Sequence, residues 1–232
     1  MTPSPSQIDR WHTLPNADAV RDRALEWIRR SAVESIALRG VFHIVLAGGT
    51  TPRAVYQALR FDPAQWEKWH VWFGDERCLP PDHADRNSRM AREAWLDHVA
   101  IPAAQIHTIS AERGPEEGAL TYSTALKNIA EFDLVLLGLG EDGHTASLFP
   151  GHEWGLEKDA PAALAVHDAP KPPPERISLS ARRLSAAYQV LFLITGNGKR
   201  EAVKRWREKE AIPAAAIRPS VGVDVLVEEI IF

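Results

Sequence analysis

The chain has 232 residues, 45% of them hydrophobic and 25% charged, and a formal net charge of -4. This composition is typical of a globular domain with an apolar core, and the acidic balance argues against nucleic acid as a partner. The single cysteine, Cys78, excludes internal disulfides, and the lack of a long apolar segment or an apolar leader predicts a cytoplasmic protein with no membrane partner.

The length suits one domain over residues 1–232, with the polar, proline-rich residues 1–16 as a surface segment. Apolar positions at helical spacing predict a long helix over 17–38. Further helices are predicted after Thr51 as N-cap and Pro52 as first helical residue, over 86–99, from Pro115, over 181–187 and up to Lys209. Strands are predicted at 43–47, 70–74, 132–138, 163–167, 176–180 and 189–194, with an apolar run at 221–227. This alternation predicts an α/β fold with a mostly parallel sheet.

Four of the predicted strands run directly into short loops that carry glycine or polar side chains. Their sequences are AGGTTP at 47–52, GDER at 74–77, GLGEDGHT at 138–145 and TGNGK at 195–199. In a parallel sheet the ends of these strands lie at the same edge, so the four loops are expected to converge. We therefore expect the functional site at this edge.

The first and last of these loops favour an anion as ligand. Gly48, Gly49, Thr50 and Thr51 offer backbone N–H groups and hydroxyls at the start of a predicted helix, and Lys199 adds an ammonium group at another. Together they indicate a phosphorylated substrate. The alternative is that both loops are only tight turns between a strand and a helix, and neither has the spacing of a P-loop.

The two middle loops carry the candidate catalytic groups. His144 lies two residues after Asp142 in a glycine-rich polar loop, and a histidine beside a carboxylate can act as a base near neutral pH. Asp75 and Arg77 follow a different strand. Arg77 either binds an anionic group of the substrate or belongs to a surface ion-pair cluster, and the sequence leaves both readings open.

The residues themselves argue against a nucleotide cofactor and against a metal. Residues 138–143 match the GxGxxG pattern, but they lie in mid-chain, Pro150 interrupts the next helix, and no acidic residue ends a second strand about 20 residues later. The other histidines are scattered and lack HExxH-type spacing. Ser147 is not in a GxSxG elbow, which argues against a serine hydrolase.

Five motifs, spread over residues 17–219, resemble the 6-phosphogluconolactonase family. They are AGGTTP, GDERCLPPDHADRN, GLGEDGHTASLFPG, DAPKPPPERISLS and GNGK, in that order. The glucosamine-6-phosphate deaminases of the same superfamily continue differently after the histidine. The resemblance implies a modified Rossmann-like fold with helices on both faces of the sheet. It also implies hydrolysis of 6-phospho-D-glucono-1,5-lactone in the oxidative pentose phosphate pathway, without a cofactor.

The resemblance further implies roles in catalysis. His144 would activate the attacking water, Asp142 would orient His144 or favour its charged form, and Asp75 would assist from the facing loop. The negative oxygen formed at the lactone carbonyl needs hydrogen-bond donors. Either the backbone N–H groups of the 140–145 loop or the side chain of Arg77 would supply them.

Substrate binding would fall to the remaining matched residues. The 48–51 loop would hold the phosphate, and Lys199, with Arg77 as a second candidate, would neutralise it. Further contacts with the substrate are expected from Asn87, Gly143, Lys171 and Arg176. Two positions depart from the family pattern, since Ala47 and Arg86 each stand where serine is usual.

Two other functions fit the same motifs. One is an isomerase or deaminase acting on an amino-sugar phosphate, which would release ammonia. The other is a non-catalytic sugar-phosphate sensor, although no helix-turn-helix segment or basic arm is evident. The sequence does not choose between a monomer and a small homo-oligomer.

Overall fold

The computed structural model describes residues 8–232, which form two β-sheets and six α-helices. The strands are β1 (Asp9–Leu14), β2 (Phe42–Leu46), β3 (Trp69–Phe73), β4 (Asp75–Arg77), β5 (Ile106–His107), β6 (Leu134–Leu137), β7 (Ala163–Val166), β8 (Arg176–Leu179), β9 (Val190–Ile194) and β10 (Val223–Glu228). The helices are α1 (Ala17–Arg39), α2 (Thr50–Leu59), α3 (Asn87–Ala94), α4 (Pro115–Ala125), α5 (Ala181–Ser185) and α6 (Arg200–Arg207).

The larger sheet determines where the strand ends meet. Its seven strands follow the order β1-β10-β9-β6-β2-β3-β5, and every neighbouring pair is parallel. The smaller sheet, of order β4-β8-β7, is antiparallel. The central strands β6 and β9 are apolar and buried along their whole length, as expected for parallel strands covered by helices. The predicted mostly parallel α/β fold is confirmed.

Helix α1 packs against the larger sheet through one apolar face. The Asn16 side chain accepts a hydrogen bond from the Ala19 N–H and caps the first turn, and Gly40 ends the helix at a left-handed φ of 77°. The buried positions recur at helical spacing: Val20, Ala24, Leu25, Trp27, Ile28, Ser31, Ala32 and Ser35. A fully buried Leu or Ile contributes roughly 1.5–3 kcal/mol, so this face holds α1 on the sheet.

Part of the predicted surface segment is an edge strand. Strand β1 pairs in parallel with β10, from Asp9 opposite Val223 to Leu14 opposite Glu228. The Trp11 ring packs edge-on against Trp206, with centroids 5.4 Å apart, and this contact helps to hold the strand. Residues 1–7 lie outside the described part of the chain, and a single domain over the whole length stays a prediction.

Helix α2 begins two residues earlier than predicted. Gly49 is the N-cap and Thr50 the first helical residue, so Thr51 is not the N-cap and Pro52 is the third residue of the helix. Gly49 has a φ of 105°, a backbone conformation that a threonine adopts only with strain. Because the φ of Gly49 is not helical, the helix begins at the next residue, Thr50.

Three of the four GDER residues, Asp75–Arg77, form strand β4, although the segment was predicted to be a loop. In β4, Asp75 lies opposite Ser178 and Arg77 lies opposite Arg176 of β8. Gly74 makes the change of sheet, because its N–H donates to the carbonyl of Leu46 in the larger sheet and its carbonyl accepts from Leu179 in the smaller one. The second sheet thus starts at the edge where β3 ends.

A buried ion pair joins β4 to α3. Glu76 is fully buried, and its carboxylate accepts hydrogen bonds from three backbone N–H groups, those of Arg77, Asn87 and Ser88. Arg86 is 3% exposed, and its Nε lies 3.1 Å from Oε2 of Glu76. The guanidinium also donates to two backbone carbonyls. Arg86, one of the departures from the family pattern, is therefore a structural residue that fixes the start of α3.

Three histidines form a row across β2, β3 and β5, near the amino ends of β2 and β3. The ring nitrogens of His70 and His107 lie 3.1 Å apart, and the rings of His43 and His70 have centroids 4.8 Å apart. Trp72 stacks on His107 with centroids 3.8 Å apart and donates its indole N–H to His43. Burial lowers the pKa of His43 and of His107 to about 4, so both are neutral at pH 7.

Replacing Glu76 by alanine should destabilise the fold strongly, because it leaves the Arg86 guanidinium buried without its carboxylate. Breaking a buried ion pair from one side costs about 3–5 kcal/mol. The measurement is the free energy of unfolding in urea. Glu112→Ala is the matched control, since Glu112 contacts Arg86 from a side chain that is 35% exposed, and its loss should cost at most about 1 kcal/mol. Equal losses in the two variants would contradict this assignment.

Candidate active site

A cavity of about 350 Å³ lies at the carboxyl edge of the larger sheet. Its wall is built by the loops after β2, β3, β6 and β9 and by residues 167–175, here called the strap, which precede β8. Nine of the predicted site residues line it: Gly48, Gly49, Asp75, Arg77, Asn87, His144, Lys171, Arg176 and Lys199. The four loops predicted to converge thus meet at one cavity.

His144 is held by Asp142 through one ring nitrogen. Nδ1 lies 2.5 Å from Oδ1 of Asp142, and the same oxygen accepts the backbone N–H of His144 at 3.1 Å. A carboxylate at Nδ1 fixes the proton on that nitrogen and leaves a lone pair on Nε2. In the described part of the chain, Nε2 has no hydrogen-bond partner. An imidazole held in this way can accept a proton at Nε2.

The environment keeps this pair in the charge state that a base needs. Burial lowers the pKa of His144 below its ordinary 6.5, and Lys171 acts in the same direction, whereas Asp142 and Asp75 oppose it. Burial alone would raise the pKa of Asp142, but its attraction to His144 and the hydrogen bonds from His144 lower it. At pH 7 the imidazole is therefore neutral and Asp142 is ionised.

Gly140 in the 138–145 loop leaves the space that the His144 ring occupies. A Cβ at Gly140 would lie 2.0 Å from Nδ1 of His144 and 2.6 Å from Oδ1 of Asp142, so no side chain fits there. Gly143 has a φ of 89°. The N–H groups of Gly140, Gly143 and His144 all donate within the loop. These three N–H groups are therefore occupied and unavailable to an oxyanion.

Asp75 has both of its carboxylate oxygens bound. Oδ1 accepts from Nδ2 of Asn87 at 3.0 Å, and Oδ2 accepts from the hydroxyl of Ser147 at 2.6 Å. The Ser147 N–H donates in turn to Oγ of Ser178. The Asp75 carboxylate is only 6% exposed and does not contact His144 directly, although its charge raises the pKa of His144.

Four basic side chains line the cavity: Arg77, Lys171, Arg176 and Lys199. Nη1 of Arg77 donates to the carbonyl of Asp85 at 2.5 Å, while its Nε is buried without a partner in the described residues. Burial lowers the pKa of Lys199, and Glu141 opposes that shift. The guanidinium of Arg77 therefore brings a positive charge to the cavity wall.

Arg176 holds the strap over the cavity. Nε donates to the carbonyl of Pro173 at 3.1 Å, and Nη2 donates to the carbonyls of Lys171 and Pro172 at 2.8 and 3.2 Å. Its guanidinium also lies 5.5 Å from the ring centroid of Phe149. Burial lowers the pKa of Arg176, but a guanidinium stays charged at pH 7. The strap therefore places Lys171 at the cavity through contacts to Arg176.

Four predicted site residues lie outside the cavity wall among residues 8–232: Thr50, Thr51, Asp142 and Gly143. Asp142 acts behind His144, and Gly143 serves the turn of the loop. The Thr51 hydroxyl lies 2.6 Å from that of Thr195 and joins the loop after β2 to the loop after β9. Thr51 thus ties two loops together at the anion-facing side of the cavity.

The sequence pointed to neither Ser147 as a partner of Asp75 nor Phe149 as part of the wall. Phe149 lies beside the imidazole of His144, with ring centroids 4.8 Å apart. Both residues belong to the ASLFPG stretch at 146–151, which begins two residues after His144. Proximity in sequence to His144 was the signal that could have identified them.

Within residues 8–232, no cluster of three or more His, Cys, Asp or Glu side chains has the arrangement that holds a metal ion. Burial raises the pKa of the Cys78 thiol to about 11, with Glu175 acting in the same direction. A thiol of that kind is protonated at pH 7 and is a poor nucleophile.

An open parallel sheet that carries a carboxylate-bound histidine and several basic side chains at its carboxyl edge is the architecture of an α/β enzyme acting on an anionic small molecule. Residues 15–226 match the family model described as glucosamine-6-phosphate isomerases/6-phosphogluconolactonase. The chain belongs to this family.

Individual relatives support the same assignment. The 6-phosphogluconolactonase of Synechocystis sp. is 40% identical over 216 residues, which cover 89% of this chain and 87% of that protein. The 6-phosphogluconolactonase of Homo sapiens is 37% identical, over 84% of this chain and 80% of that protein. The crystal structure of 6-phosphogluconolactonase from Thermotoga maritima superposes with a TM-score of 0.88 at 27% identity, covering 96% of this chain and all 100% of that one.

Replacing Gly140 by alanine should impair activity by displacing the His144–Asp142 pair, because the added methyl group would occupy the position of Nδ1. A misplacement of about 1 Å in a catalytic group can cost about 10²-fold in rate. Initial rates on the substrate proposed below provide the measurement. Gly138→Ala is the comparison in the same loop: a Cβ there meets no protein atom within 4 Å, and because Gly138 lines the cavity the added methyl group should affect KM and leave kcat nearly unchanged. Equal losses would show that the close approach at Gly140 is unimportant.

Proposed function

We propose that the chain hydrolyses 6-phospho-D-glucono-1,5-lactone to 6-phosphogluconate, the reaction of the oxidative pentose phosphate pathway for which its relatives are named. The observation that carries the proposal is the position of His144. Its Nδ1 is bound to Asp142, its Nε2 is unpartnered among the described residues, and it faces a cavity with four basic side chains. A neutral base beside a cationic cavity suits a phosphorylated ester.

The phosphate binds between the loop after β2 and the loop after β9. Gly48 and Gly49 line the cavity at the start of α2, where unpaired backbone N–H groups and the helix dipole favour an anion. Lys199 lies on the same wall and supplies a positive charge. Ala47 adds no hydroxyl, and its backbone N–H and carbonyl are both bound to the hydroxyl of Tyr56. Backbone donors and Lys199 therefore carry the binding at this end.

With the phosphate tethered, the lactone carbonyl lies over His144. Nε2 takes a proton from a water molecule as the water oxygen bonds to C1, and the electrons of the carbonyl double bond move onto its oxygen. The carbonyl then re-forms, the bond from C1 to the ring oxygen breaks, and the imidazolium gives its proton to that ring oxygen. The acid formed at C1 ionises and releases its proton to solvent. Asp142 stabilises the imidazolium throughout.

Arg77 supplies the donor for the oxyanion. The N–H groups of Gly140, Gly143 and His144 are already engaged within their loop, which argues against them. Arg77 lines the cavity with a buried, unpartnered Nε, and its Nη1 is anchored at the carbonyl of Asp85. A fixed donor in a partly buried site stabilises developing negative charge more than a mobile one in water. Lys171 and Arg176 contact the substrate from the strap side, and Asn87 contacts it from the start of α3.

Several expectations from the sequence stay predictions. In residues 8–232 no helix combines the length and the apolar character that a bilayer crossing requires. A relative in rice is named as a probable chloroplastic 6-phosphogluconolactonase, so the relatives do not share one compartment. We keep the cytoplasmic location, the monomer or small homo-oligomer and the lack of nucleic-acid partners and of a cofactor as predictions.

Replacing His144 by alanine should lower kcat on freshly prepared lactone by at least about 10²-fold with the fold intact, because a general base typically contributes 10²- to 10⁴-fold. Rates are corrected for spontaneous hydrolysis. His152→Ala is the matched control: both rings pack against Phe149, but His152 is not in the cavity wall, and this variant should keep most activity. Near-normal kcat in His144→Ala would remove this residue from the mechanism. Ammonia released from glucosamine 6-phosphate instead would favour the deaminase.

Replacing Lys199 by alanine should raise KM with little change in kcat, because an interaction with the non-reacting phosphate is made equally in the ground and transition states. A charged hydrogen bond is worth about 1.5–3 kcal/mol, which corresponds to roughly 10- to 100-fold in KM. Lys204→Ala removes the same charge from the surface of α6, outside the cavity wall, and should leave KM nearly unchanged. A loss confined to kcat would contradict phosphate anchoring by Lys199.

A further inference from the structure

The carboxylate of Asp75 is held from two separate segments of the chain. The hydroxyl of Ser147 donates to Oδ2 at 2.6 Å from the loop after β6, and Nδ2 of Asn87 donates to Oδ1 at 3.0 Å from the start of α3. Ser147 is 1% exposed, and Asp75 and Asn87 are each 6% exposed. These are short, buried hydrogen bonds to a charged acceptor, a class stronger than bonds between neutral groups.

The loop after His144 is shaped to bring Ser147 to this carboxylate. The Ser147 N–H donates to Oγ of Ser178 at 3.2 Å, and Ala146 has a left-handed φ of 49°. A non-glycine residue in that region carries strain and persists where its surroundings enforce it. One short turn therefore directs His144 into the cavity and Ser147 onto Asp75.

Asp75 has two cations near it that it could pair with. Its charge raises the pKa of Arg176, and it belongs to the same short strand as Arg77. In the structure the Asp75 carboxylate bonds to neither guanidinium; its two oxygens accept hydrogen bonds from Asn87 and Ser147 instead. The negative charge of Asp75 is therefore not paired with either arginine.

We infer that Ser147 is a positioning residue, which together with Asn87 fixes the Asp75 carboxylate at the wall of the cavity that also contains His144, Arg77 and Arg176. The inference rests on the function proposed above. It assigns Ser147 a role through Asp75 and not as a nucleophile, since its hydroxyl donates to that carboxylate and Ser147 is 1% exposed and outside the cavity wall.

The network also reaches the phosphate side of the cavity. A Cβ at Gly48 would lie 2.1 Å from Oδ1 of Asn87, so the loop after β2 packs directly on the amide that holds Asp75. The loop after β6, the Asp75 carboxylate and the loop after β2 are thus connected by direct contacts. Release of Asp75 should affect substrate binding as well as the base.

The test is Ser147→Ala, assayed on fresh lactone across pH. The charged and titratable groups that act on His144 are Asp142 in its own loop, Asp75 in β4 and Lys171 in the strap. Activity falls as pH drops through the pKa of His144, which in the parent protein lies below 6.5. In Ser147→Ala the Asp75 carboxylate can turn towards an arginine, so this acid limb should move to lower pH by about half a unit and KM should rise several-fold.

Two further measurements separate positioning from a general loss of structure. In a double-mutant cycle, Ser147→Ala should have little additional effect in an Asp75→Asn background, because both changes act on the same carboxylate. NMR titration of the His144 ring reports the same shift without any turnover. Ser123→Ala is the control, since the Ser123 hydroxyl accepts from the backbone N–H of Ala163 and is not a hydrogen-bond partner of the Asp75 carboxylate, and it should leave the limb in place. Ser147→Cys, with a similar volume and a weaker donor, serves if the alanine variant does not fold.

The outcomes are distinct. The inference would be overturned if neither the acid limb of the pH–activity curve nor the titration of the His144 ring shifted in Ser147→Ala. It would also be overturned if the effects of Ser147→Ala and Asp75→Asn were additive. Neither result would affect the proposal of lactone hydrolysis. Failure of the parent protein to hydrolyse the lactone would refute the proposed function, and the ring titration would still decide whether Ser147 acts through Asp75.

Discussion

Everything at the site depends on the parallel alignment of four neighbouring strands. Strands β9, β6, β2 and β3 are adjacent in the sheet and run in the same direction. Their carboxyl ends must therefore share one edge, whatever their distance in sequence. The hydroxyl contact between Thr51 and Thr195 spans 144 positions of the chain, and the contact between Ser147 and Asp75 spans 72. No local preference could hold such groups together; the hydrogen-bonded sheet and its buried apolar strands do so.

The cavity brings groups of opposite charge close together. Lys171 and Lys199 line the cavity from the strap and from the loop after β9, and Lys171 lowers the pKa of both His144 and Lys199. Asp142 and Asp75 act in the opposite direction on the pKa of His144, and each carboxylate is held in place by hydrogen bonds. Fixed hydrogen bonds thus let opposite charges coexist at short range. That is the condition for binding an anion and stabilising an imidazolium in the same small volume.

Features written in local sequence could be predicted, and features created by tertiary contact could not. The central strands, the long first helix and the His144–Asp142 pair follow from apolar periodicity and from residues two positions apart. Strand β4 has three residues, too few for any periodicity, so the second sheet was missed. The contact of Ser147 with Asp75 could not be predicted, because the two residues lie on different elements and are 72 positions apart. The only functional sequence pattern considered for this serine was a nucleophile motif, which it does not match. Thr51 was assigned to the substrate because its hydroxyl contact with Thr195 has no sequence signature.

The row of histidines at the opposite end of the sheet sets a lower pH limit for the fold itself. His43 and His107 have pKa values of about 4 in the folded protein, below the 6.5 of an exposed imidazole. Between these values the unfolded chain binds protons that the folded chain excludes, so stability declines as pH falls. Acidification therefore acts at both ends of the sheet, since it protonates His144 at the carboxyl edge and lowers the stability of the fold through His43 and His107 near the other.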